Sequence, residues 1–147
     1  MGMVRAVDIP LPYRPETGFE GLFGLEILAA SSEEVRARVE VRDELKQHYG
    51  LVHGGVYTSL AESIASMGTA WAVAPQGRVA MGQANQTSFL RPITQGTIHA
   101  VATPRHRGRS TWVWDVEITD DEGRVCVLTR MTVAVRDAPA QPRPAAS

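Results

Sequence analysis

The chain of 147 residues is long enough for one domain with a hydrophobic core, and 44% of its residues are hydrophobic, as in an ordinary globular protein. Its formal net charge of −1 excludes a strong overall field that would draw it to nucleic acid or an anionic membrane, and its single cysteine excludes an internal disulfide and a multi-cysteine metal site. No segment reaches the roughly 18 uninterrupted apolar residues of a membrane span, and the first residues contain no apolar run of signal-peptide length, so we expect a cytoplasmic protein.

The two ends of the chain differ in composition from its middle. Three prolines within residues 10–15 predict an extended N-terminal arm, assigned to residues 1–18. The last segment, DAPAQPRPAAS, is rich in proline and alanine and short of large apolar side chains, which predicts a disordered tail over residues 137–147. We therefore expect a single domain over residues 19–136.

Two strands are predicted at the start of this domain, over residues 19–30 and 33–42. In the second, from Val35 onwards, every other residue is apolar and the residues between are charged. This alternation is typical of a strand with one buried and one solvent-facing side. Residues 43–50, DELKQHYG, predict a short helical turn or loop that ends in glycine.

One long helix is predicted over residues 54–73, because Val56, Leu60, Ile64 and Met67 recur at helical spacing. Most of the other residues in this segment are small or apolar, so the helix has to be covered on nearly all sides. A sheet that curls around it would provide that cover.

Four further strands are predicted after the helix, over residues 78–91, 96–107, 110–119 and 124–136. The last two are joined by a hairpin turn at DDEG. In the third, Trp112 and Trp114 fall on the face opposite to Val113 and Asp115, and such a tryptophan row occurs both in cores and at interfaces. Strands, one long helix and then antiparallel strands predict an α+β domain.

A stripe of polar residues runs along the predicted helix, spaced three or four residues apart: Ser59, Glu62, Ser63, Ser66 and Thr69. A buried, unpaired carboxylate costs several kcal/mol or shifts its pKa until it is neutral. Glu62 therefore has two interpretations. It lies idle at a solvent-facing edge of the helix, or it serves a substrate cleft.

Neighbouring residues favour the substrate cleft. HGG (53–55) stands at the predicted start of the helix. Unpaired N–H groups and the positive end of the helix dipole meet there and can form an oxyanion hole. An ordinary loop-to-helix turn also uses such glycines. Gln47 and His53 lie just upstream, and both can donate to a carbonyl or a water. Alone, either residue is also common on surfaces or as a structural hydrogen-bonding partner.

No other nucleophile or metal site stands out. There is no GxSxG elbow, and the four histidines lack metal-ligand spacing. Cys126 lies within an apolar strand, which favours a core position over a catalytic one. If the protein is an enzyme, Glu62 is the candidate general base or nucleophile.

Four stretches together resemble one family: VHGGVYTSLAESIASMG (52–68), GQANQTSFLRP (82–92), STWVWDVEITDDEGRVC (110–126) and MTVAVR (131–136). In this order they are similar to the hotdog-fold acyl-CoA thioesterases, in the branch that contains phenylacetate-pathway-type enzymes, and most of all to the Arthrobacter-type 4-hydroxybenzoyl-CoA thioesterases. The resemblance implies a hotdog fold, an antiparallel sheet wrapped around one long central helix. It also implies hydrolysis of an acyl-CoA thioester.

The resemblance further implies roles for the residues around the helix. Gly54 matches the glycine whose N–H polarises the thioester carbonyl, and Glu62 matches the carboxylate that attacks the carbonyl or activates a water. Gln47 matches a glutamine that places the thioester or the water, and His53 matches the histidine beside the glycine. Ser66 occupies the position of a hydroxyl residue that holds the attacking water, where some relatives have threonine.

Coenzyme A contacts are implied in the same way. Arg91 matches an arginine that contacts its phosphates, and Ser110 and Thr111 match polar contacts to its nucleotide. The segment PRHRGR adds three arginines, which suit phosphate but are equally compatible with a solvated basic turn: Arg105, Arg107 and Arg109. No metal or bound cofactor is implied, since coenzyme A is part of the substrate.

We also expect each active site to be built from two chains. Glu62 follows Gly54 by eight residues, which separates them by about 12 Å along a helix axis, too far for one side chain to bridge comfortably. A second, antiparallel helix would place its Glu62 opposite the first chain's Gly54. The resemblance implies the same homodimer, commonly paired again into a dimer of dimers.

Two other functions fit a hotdog fold. A hydratase or dehydratase needs a catalytic histidine paired with an acid, and its Asn-Pro-Leu-His stretch is missing from the sequence. A non-catalytic acyl-CoA sensor would lose the acid and would usually carry a DNA-binding segment, and we expect none before residue 19. The acyl group stays open between hydroxybenzoyl, phenylacetyl, benzoyl, dihydroxynaphthoyl and medium-chain groups.

Overall fold

A computed structural model describes residues 10–140 of the chain. Its helices and strands follow in the order α1 (Gly18–Phe23), β1 (Glu26–Ala30), β2 (Val35–Glu40), α2 (Gly54–Val73), β3 (Arg78–Phe89), β4 (Thr97–Arg107), β5 (Thr111–Thr119) and β6 (Val125–Asp137). Short 3-10 turns lie at Asp43–Leu45 and Ala74–Gln76. The start of the predicted arm and the end of the predicted tail lie outside the described residues, so the predicted domain limits stay predictions.

The six strands form one antiparallel sheet in the order β1-β2-β4-β5-β6-β3. One face of this sheet packs against α2, which confirms the predicted α+β hotdog arrangement. Strand β3 pairs only with β6, so its other edge is open within the single chain. None of the helices among residues 10–140 is long and apolar enough to cross a membrane. The cytoplasmic location stays a prediction.

Helix α2 is held against the sheet by close packing and one buried hydrogen bond. A side chain on Gly68 would place its Cβ 2.7 Å from the Trp114 ring and 2.9 Å from Val35, so only glycine allows this approach. The Trp114 indole N–H donates to the Thr69 hydroxyl at 2.8 Å. Trp112 and Trp114 are both buried, so the tryptophan row belongs to the core of the chain rather than to an exposed surface.

The first predicted strand is wrong over its first half, because Gly18–Phe23 form helix α1. Phe19, Leu22 and Phe23 fall at helical spacing. The left-handed conformation of Gly24, with φ of 80°, lets its N–H bond to the Glu20 carbonyl and ends the helix. The strand proper therefore starts only at Glu26.

The polar stripe on α2 is divided rather than continuous. Ser63 is buried and donates to the Glu20 carboxylate of α1 at 3.2 Å, while Thr69 accepts from Trp114 inside the core. Glu62 is exposed in the single chain, and Ser59 beside it is half-buried. Only this middle part of the stripe is therefore available to a ligand or a second chain.

Candidate active site

The start of helix α2 presents an unpaired backbone N–H group. His53 is the N-cap, and its Nδ1 accepts the Gly55 N–H at 2.8 Å, which leaves Nε2 as the N–H donor of the neutral ring. The Gly54 N–H has no hydrogen-bond partner within residues 10–140. It lies at the positive end of a 20-residue helix, which suits it to receive an oxyanion.

Gly54 borders a largely apolar cavity of about 480 Å³. The Phe89 ring lies 3.0 Å from the position that a Cβ on Gly54 would occupy. Burial raises the pKa of Tyr57, in the same cavity, to about 12, and the Ile93 backbone N–H opposes this shift more weakly. The Tyr57 hydroxyl has no hydrogen-bond partner within residues 10–140. Arg91 lies exposed at the rim of the same cavity.

Gln47 is fixed in a tight loop just before the helix. Its backbone N–H donates to Leu51 at 2.9 Å, and its carbonyl accepts from Gly50 at 3.0 Å. Its side-chain oxygen accepts from the Tyr49 N–H, which leaves the amide NH₂ group as a donor. The loop is closed by the His53 N–H, which donates to the carbonyl of Leu45 in the preceding 3-10 turn at 2.9 Å.

Glu62 lines a second cavity of about 390 Å³, whose other lining residues are Thr58, Ser59, Gly82, Gln83, Ala84, Asn85 and Met131. Its carboxylate lies over Gly82 of β3. In the part of the chain that the structure describes, no group donates a hydrogen bond to this carboxylate and no cation pairs with it. Ser66, one turn later, has a buried hydroxyl without a partner among the same residues.

One chain does not bring Gly54 and Glu62 together. Gly54 belongs to the cavity beside Phe89, while Glu62 belongs to the cavity beside Gly82, and no described cavity contains both. Gln47 and His53 lie at the Gly54 end, and Ser66 lies at the Glu62 end. The five residues therefore form two separate half-sites, one at the start of α2 and one in its middle.

The predicted coenzyme A contacts are also spread over the molecule. Thr111 pairs with Ala134 of β6, and Ala134 in turn pairs with Met81 near the start of β3. Arg91, in contrast, follows the end of β3. Met81 and Phe89, where β3 ends, are eight residues apart along the strand, or about 26 Å. Ser110 and Thr111 therefore cannot meet the same nucleotide as Arg91 of their own chain.

The arginines at the end of β4 and in the turn after it differ in their contacts. Arg107 donates to the Ser32 carbonyl at 2.7 Å, pairs with Glu33 at 2.9 Å and lies 5.9 Å from the centre of the Trp112 ring, so it is committed to the fold. Arg105 lies 3.4 Å from an Asp115 carboxylate oxygen. The remaining member, Arg109, accepts a hydrogen bond through its carbonyl.

Two residues of β3 near Glu62 were missed as site residues from the sequence, Gly82 and Asn85. The sheet register shifts between Gly82 and Ala84, so Gln83 forms a bulge that turns Asn85 towards the helix. There the Asn85 amide donates to the Thr58 carbonyl at 3.0 Å. A glycine inside a strand pattern often marks a bulge or a close approach, and that signal was present in the sequence.

Other candidate chemistry lies away from these half-sites. Cys126 is buried, as predicted, and burial raises the pKa of its thiol. His99 pairs with Asp121 at 2.8 Å, but this pair lies at the β5–β6 turn and outside both cavities. Between residues 10 and 140, no three acidic, histidine or cysteine side chains are grouped as metal ligands.

Comparison with known proteins places the chain in a family. The model described as the Thioesterase superfamily matches residues 49–127. A Mycobacterium tuberculosis protein is 39% identical over 142 residues, covering 95% of this chain and all of its own. Its solved structure superposes with a TM-score of 0.79 at 37% identity, covering 83% of this chain and 98% of its own. A 1,4-dihydroxy-2-naphthoyl-CoA hydrolase of Listeria monocytogenes is 32% identical, covering 81% of this chain and 96% of its own.

Solved thioesterase structures share the same architecture. A thioesterase of Haemophilus influenzae superposes with a TM-score of 0.76 at 27% identity, covering 89% of this chain and 99% of its own. A Staphylococcus aureus thioesterase, solved with a glutamine-to-alanine substitution, has a TM-score of 0.74 at 28% identity, covering 76% and 93%. The same protein, solved with a glutamate-to-alanine substitution, gives the same score and coverage at 29% identity. Its fold, its long helix and these relatives show that the chain belongs to the thioesterase superfamily and is a thioester hydrolase.

Proposed function

We propose that this protein hydrolyses an aromatic acyl-CoA thioester to the free acid and coenzyme A, with 4-hydroxybenzoyl-CoA as the first candidate substrate. The observation that carries the proposal is the pair of half-sites on α2. An unpaired Gly54 N–H stands at the helix start, and an unpaired Glu62 carboxylate stands in an open cavity along the same helix.

The Gly54 N–H receives the thioester carbonyl oxygen and stabilises the negative charge that develops there. Glu62 supplies the carboxylate that either attacks the carbonyl carbon, giving a mixed anhydride that water then hydrolyses, or removes a proton from an attacking water. Both routes break the C–S bond and release coenzyme A as the thiol after protonation. Neither route requires a metal or a cofactor.

Three residues assist these two groups. The free amide NH₂ of Gln47 and the Nε2–H of His53 lie at the Gly54 end and donate to the carbonyl or to the water. The Ser66 hydroxyl, buried and without a partner in the described chain, holds the attacking water at the Glu62 end. The glutamine and glutamate replaced in the S. aureus structures stand the same number of residues apart as Gln47 and Glu62.

Two copies of the chain complete each site. The separation of Gly54 from Glu62 on one helix requires the carboxylate of a second copy, and the open edge of β3 beside Glu62 offers a backbone ladder for that copy. Two-fold symmetry then gives two equal sites per dimer. Pairing of such dimers into a tetramer is the arrangement that the family resemblance favours.

Coenzyme A lies with its phosphates near Arg91, at the rim of the cavity that contains Gly54. Contacts from Ser110, Thr111 or Arg109 to the same nucleotide have to come from another subunit, since these residues lie at the far end of the sheet. The Listeria relative, named for a dihydroxynaphthoyl substrate, supports an aromatic acyl group. Phenylacetyl, benzoyl, dihydroxynaphthoyl and medium-chain groups are the alternatives.

The test is thiol release from a panel of acyl-CoA thioesters, measured with a thiol reagent. We expect kcat/KM for hydroxybenzoyl-CoA to exceed that for medium-chain acyl-CoA by at least about tenfold, roughly 1.4 kcal/mol of transition-state binding. The absorbance of an enoyl-CoA, followed in parallel, should show no hydration. An absence of thiol release from every thioester would contradict the proposal, and a preference for medium chains would contradict the aromatic assignment alone.

A further inference from the structure

The Glu62 carboxylate rests on the one residue of β3 that has no side chain. A Cβ on Gly82 would lie 2.6 Å from the Glu62 Oε1, 3.2 Å from its Cγ and 3.3 Å from its Cδ. Rotation of the flexible Glu62 side chain would relieve the contact at Oε1, and the contacts at Cγ and Cδ would require a further shift of a few tenths of an ångström. A side chain at position 82 would therefore move the Glu62 carboxylate from its observed place.

Neither the backbone nor the bulge explains this glycine. The φ of Gly82 does not lie in the left-handed region, where six other glycines of the described chain have theirs, so another residue could adopt its conformation. The bulge at Gln83 therefore does not depend on a left-handed glycine. Glycine within a strand lowers stability, since it loses more conformational freedom and packs no side chain. The observed benefit of Gly82 is the space that it leaves for Glu62.

Little else on the chain fixes Glu62. The side chain is exposed, and no hydrogen bond or ion pair within residues 10–140 holds its carboxylate. Its aliphatic part lies on the β3 backbone at Gly82, and the bulge that follows turns the strand so that Asn85 reaches α2 at Thr58. The β3 backbone at Gly82 therefore sets how closely the Glu62 carboxylate approaches the strand.

We propose that Gly82 is a positioning residue for catalysis: its missing side chain lets Glu62 lie against β3 at the height from which the carboxylate reaches the thioester carbonyl. The inference rests on the proposed role of Glu62 as the reacting carboxylate. It assigns no contact between Gly82 and the substrate. Its effect on the reaction passes entirely through Glu62.

The first test is Gly82→Ala in the full-length chain, assayed on the best substrate of the acyl-CoA panel. Lifting the carboxylate by a large fraction of an ångström should lower kcat about ten- to a hundredfold, while KM changes less than threefold, because coenzyme A is bound elsewhere. The matched control is Ser88→Ala, an exposed position of the same strand that pairs with the exposed Leu128 and therefore lies on the face turned away from α2. It should retain kcat and thermal stability.

The second test is a double-mutant cycle with Glu62→Asp. Aspartate is one methylene shorter, so it withdraws the carboxylate from the added methyl group. Glu62→Asp should therefore lower kcat by a smaller factor in the Gly82→Ala background than in the native one. Two losses that simply multiply would mean that the two residues act independently, and would overturn the proposal.

Further results of these experiments also test the proposed role of Gly82. A Gly82→Ala protein with kcat within twofold of the native enzyme overturns the proposal, as does a loss of kcat that accompanies loss of the oligomer. If Gly82→Ala fails to fold, the double variant with Glu62→Asp decides: folding of the double variant supports the clash, and its failure shows that the glycine serves the strand. Full activity of Glu62→Ala would instead overturn the proposed function itself.

Discussion

Glu62 is the residue on which the proposed chemistry depends most, and its surroundings make a clean experiment possible. Because the side chain is exposed and has no partner in residues 10–140, its removal should leave folding unchanged. We expect Glu62→Ala to lower kcat by about three orders of magnitude, the middle of the range that a general base contributes. Thiol release measures the activity, and thermal unfolding checks the fold.

The control for this prediction is Glu62→Asp, which keeps a carboxylate and should retain part of the activity. A folded Glu62→Ala protein with near-native turnover would remove Glu62 from the mechanism. A single turnover in ¹⁸O-labelled water would show which carbon the water attacks. Label found in the Glu62 carboxylate after turnover indicates an anhydride that is hydrolysed at the Glu62 carbonyl, and label found only in the product acid indicates attack of water on the acyl carbon.

Arg91 lies at the exposed rim of the Gly54 cavity, and its proposed partner is a coenzyme A phosphate rather than the reacting carbonyl. An arginine that contacts a phosphate contributes mainly to binding, so Arg91→Ala should raise KM for coenzyme A thioesters about tenfold and lower kcat much less. A pantetheine thioester lacks the nucleotide phosphates and serves as the matched substrate. An equal loss with the pantetheine thioester would show that Arg91 acts in another way.

At the residue scale, candidate residues could be selected from the sequence, whereas their contacts with other elements could not. The stretch around Glu62 and the glycines at positions 54 and 55 could be identified because their spacing along one helix is local. Gly82 could not be assigned to Glu62, because the contact joins residues on different elements. The burial of Ser63 against Glu20 could not be predicted either, since it requires helix α1, which the sequence pattern had assigned to a strand.

At the scale of elements, the long helix was predicted with both its limits, 54–73, since HGG marks its start and proline follows its end. The last four strands agree with their predicted ranges to within a few residues. Helix α1 was missed because the five residues between the left-handed Gly18 and Gly24 give too short a periodic pattern. The bulge at Gln83 depends on register against β6, which no single strand sequence contains.

The pairing of β1 with β2 carries a pH-dependent interaction. In β1 the buried Glu26 carboxylate accepts hydrogen bonds from Arg38 at 2.7 Å and from Arg14 at 2.9 Å. The Arg38 bond lowers the pKa of Glu26, burial opposes it, and Arg14 adds to the lowering. A folded-state pKa below the unfolded value of about 4.3 gives stabilisation that is present above that pH and is lost as pH falls through the folded pKa.

Glu26→Gln should therefore lower the free energy of unfolding at neutral pH and should weaken its dependence on pH below about 4.3. Urea unfolding of the native protein and the variant at a series of pH values measures both effects. Glu117→Gln, an exposed position in β5, is the control and should change neither. Parallel pH curves for native protein and Glu26→Gln would contradict the role of the two arginines.

At the scale of the whole molecule, one chain presents features that a second copy would complete. Strand β3 leaves a long backbone edge unpaired, and such edges are normally protected or paired. Several large apolar side chains on or after this strand are more than half exposed, namely Met81, Phe89 and Leu90. The same strand borders the Glu62 cavity, so pairing along it would bring a second chain to the half-site that lacks an oxyanion donor.

The sharpest prediction at this scale is complementation between two inactive variants. If Gln47 and Gly54 come from one chain and Glu62 and Ser66 from its partner, a heterodimer of Gln47→Ala with Glu62→Ala has one site with both residues intact. Random pairing after co-refolding in equal amounts gives half heterodimers, so about a quarter of native activity should return if the sites are independent.

Each variant refolded alone is the control and should stay nearly inactive, and different affinity tags on the two variants establish how much heterodimer has formed. Recovery should scale with the fraction of doubly tagged dimer. If doubly tagged dimers form and no activity returns, Gln47 and Glu62 serve the same chain's site. The separation of Gly54 from Glu62 would then have to be closed by movement within one chain, and the open edge of β3 would have no part in catalysis.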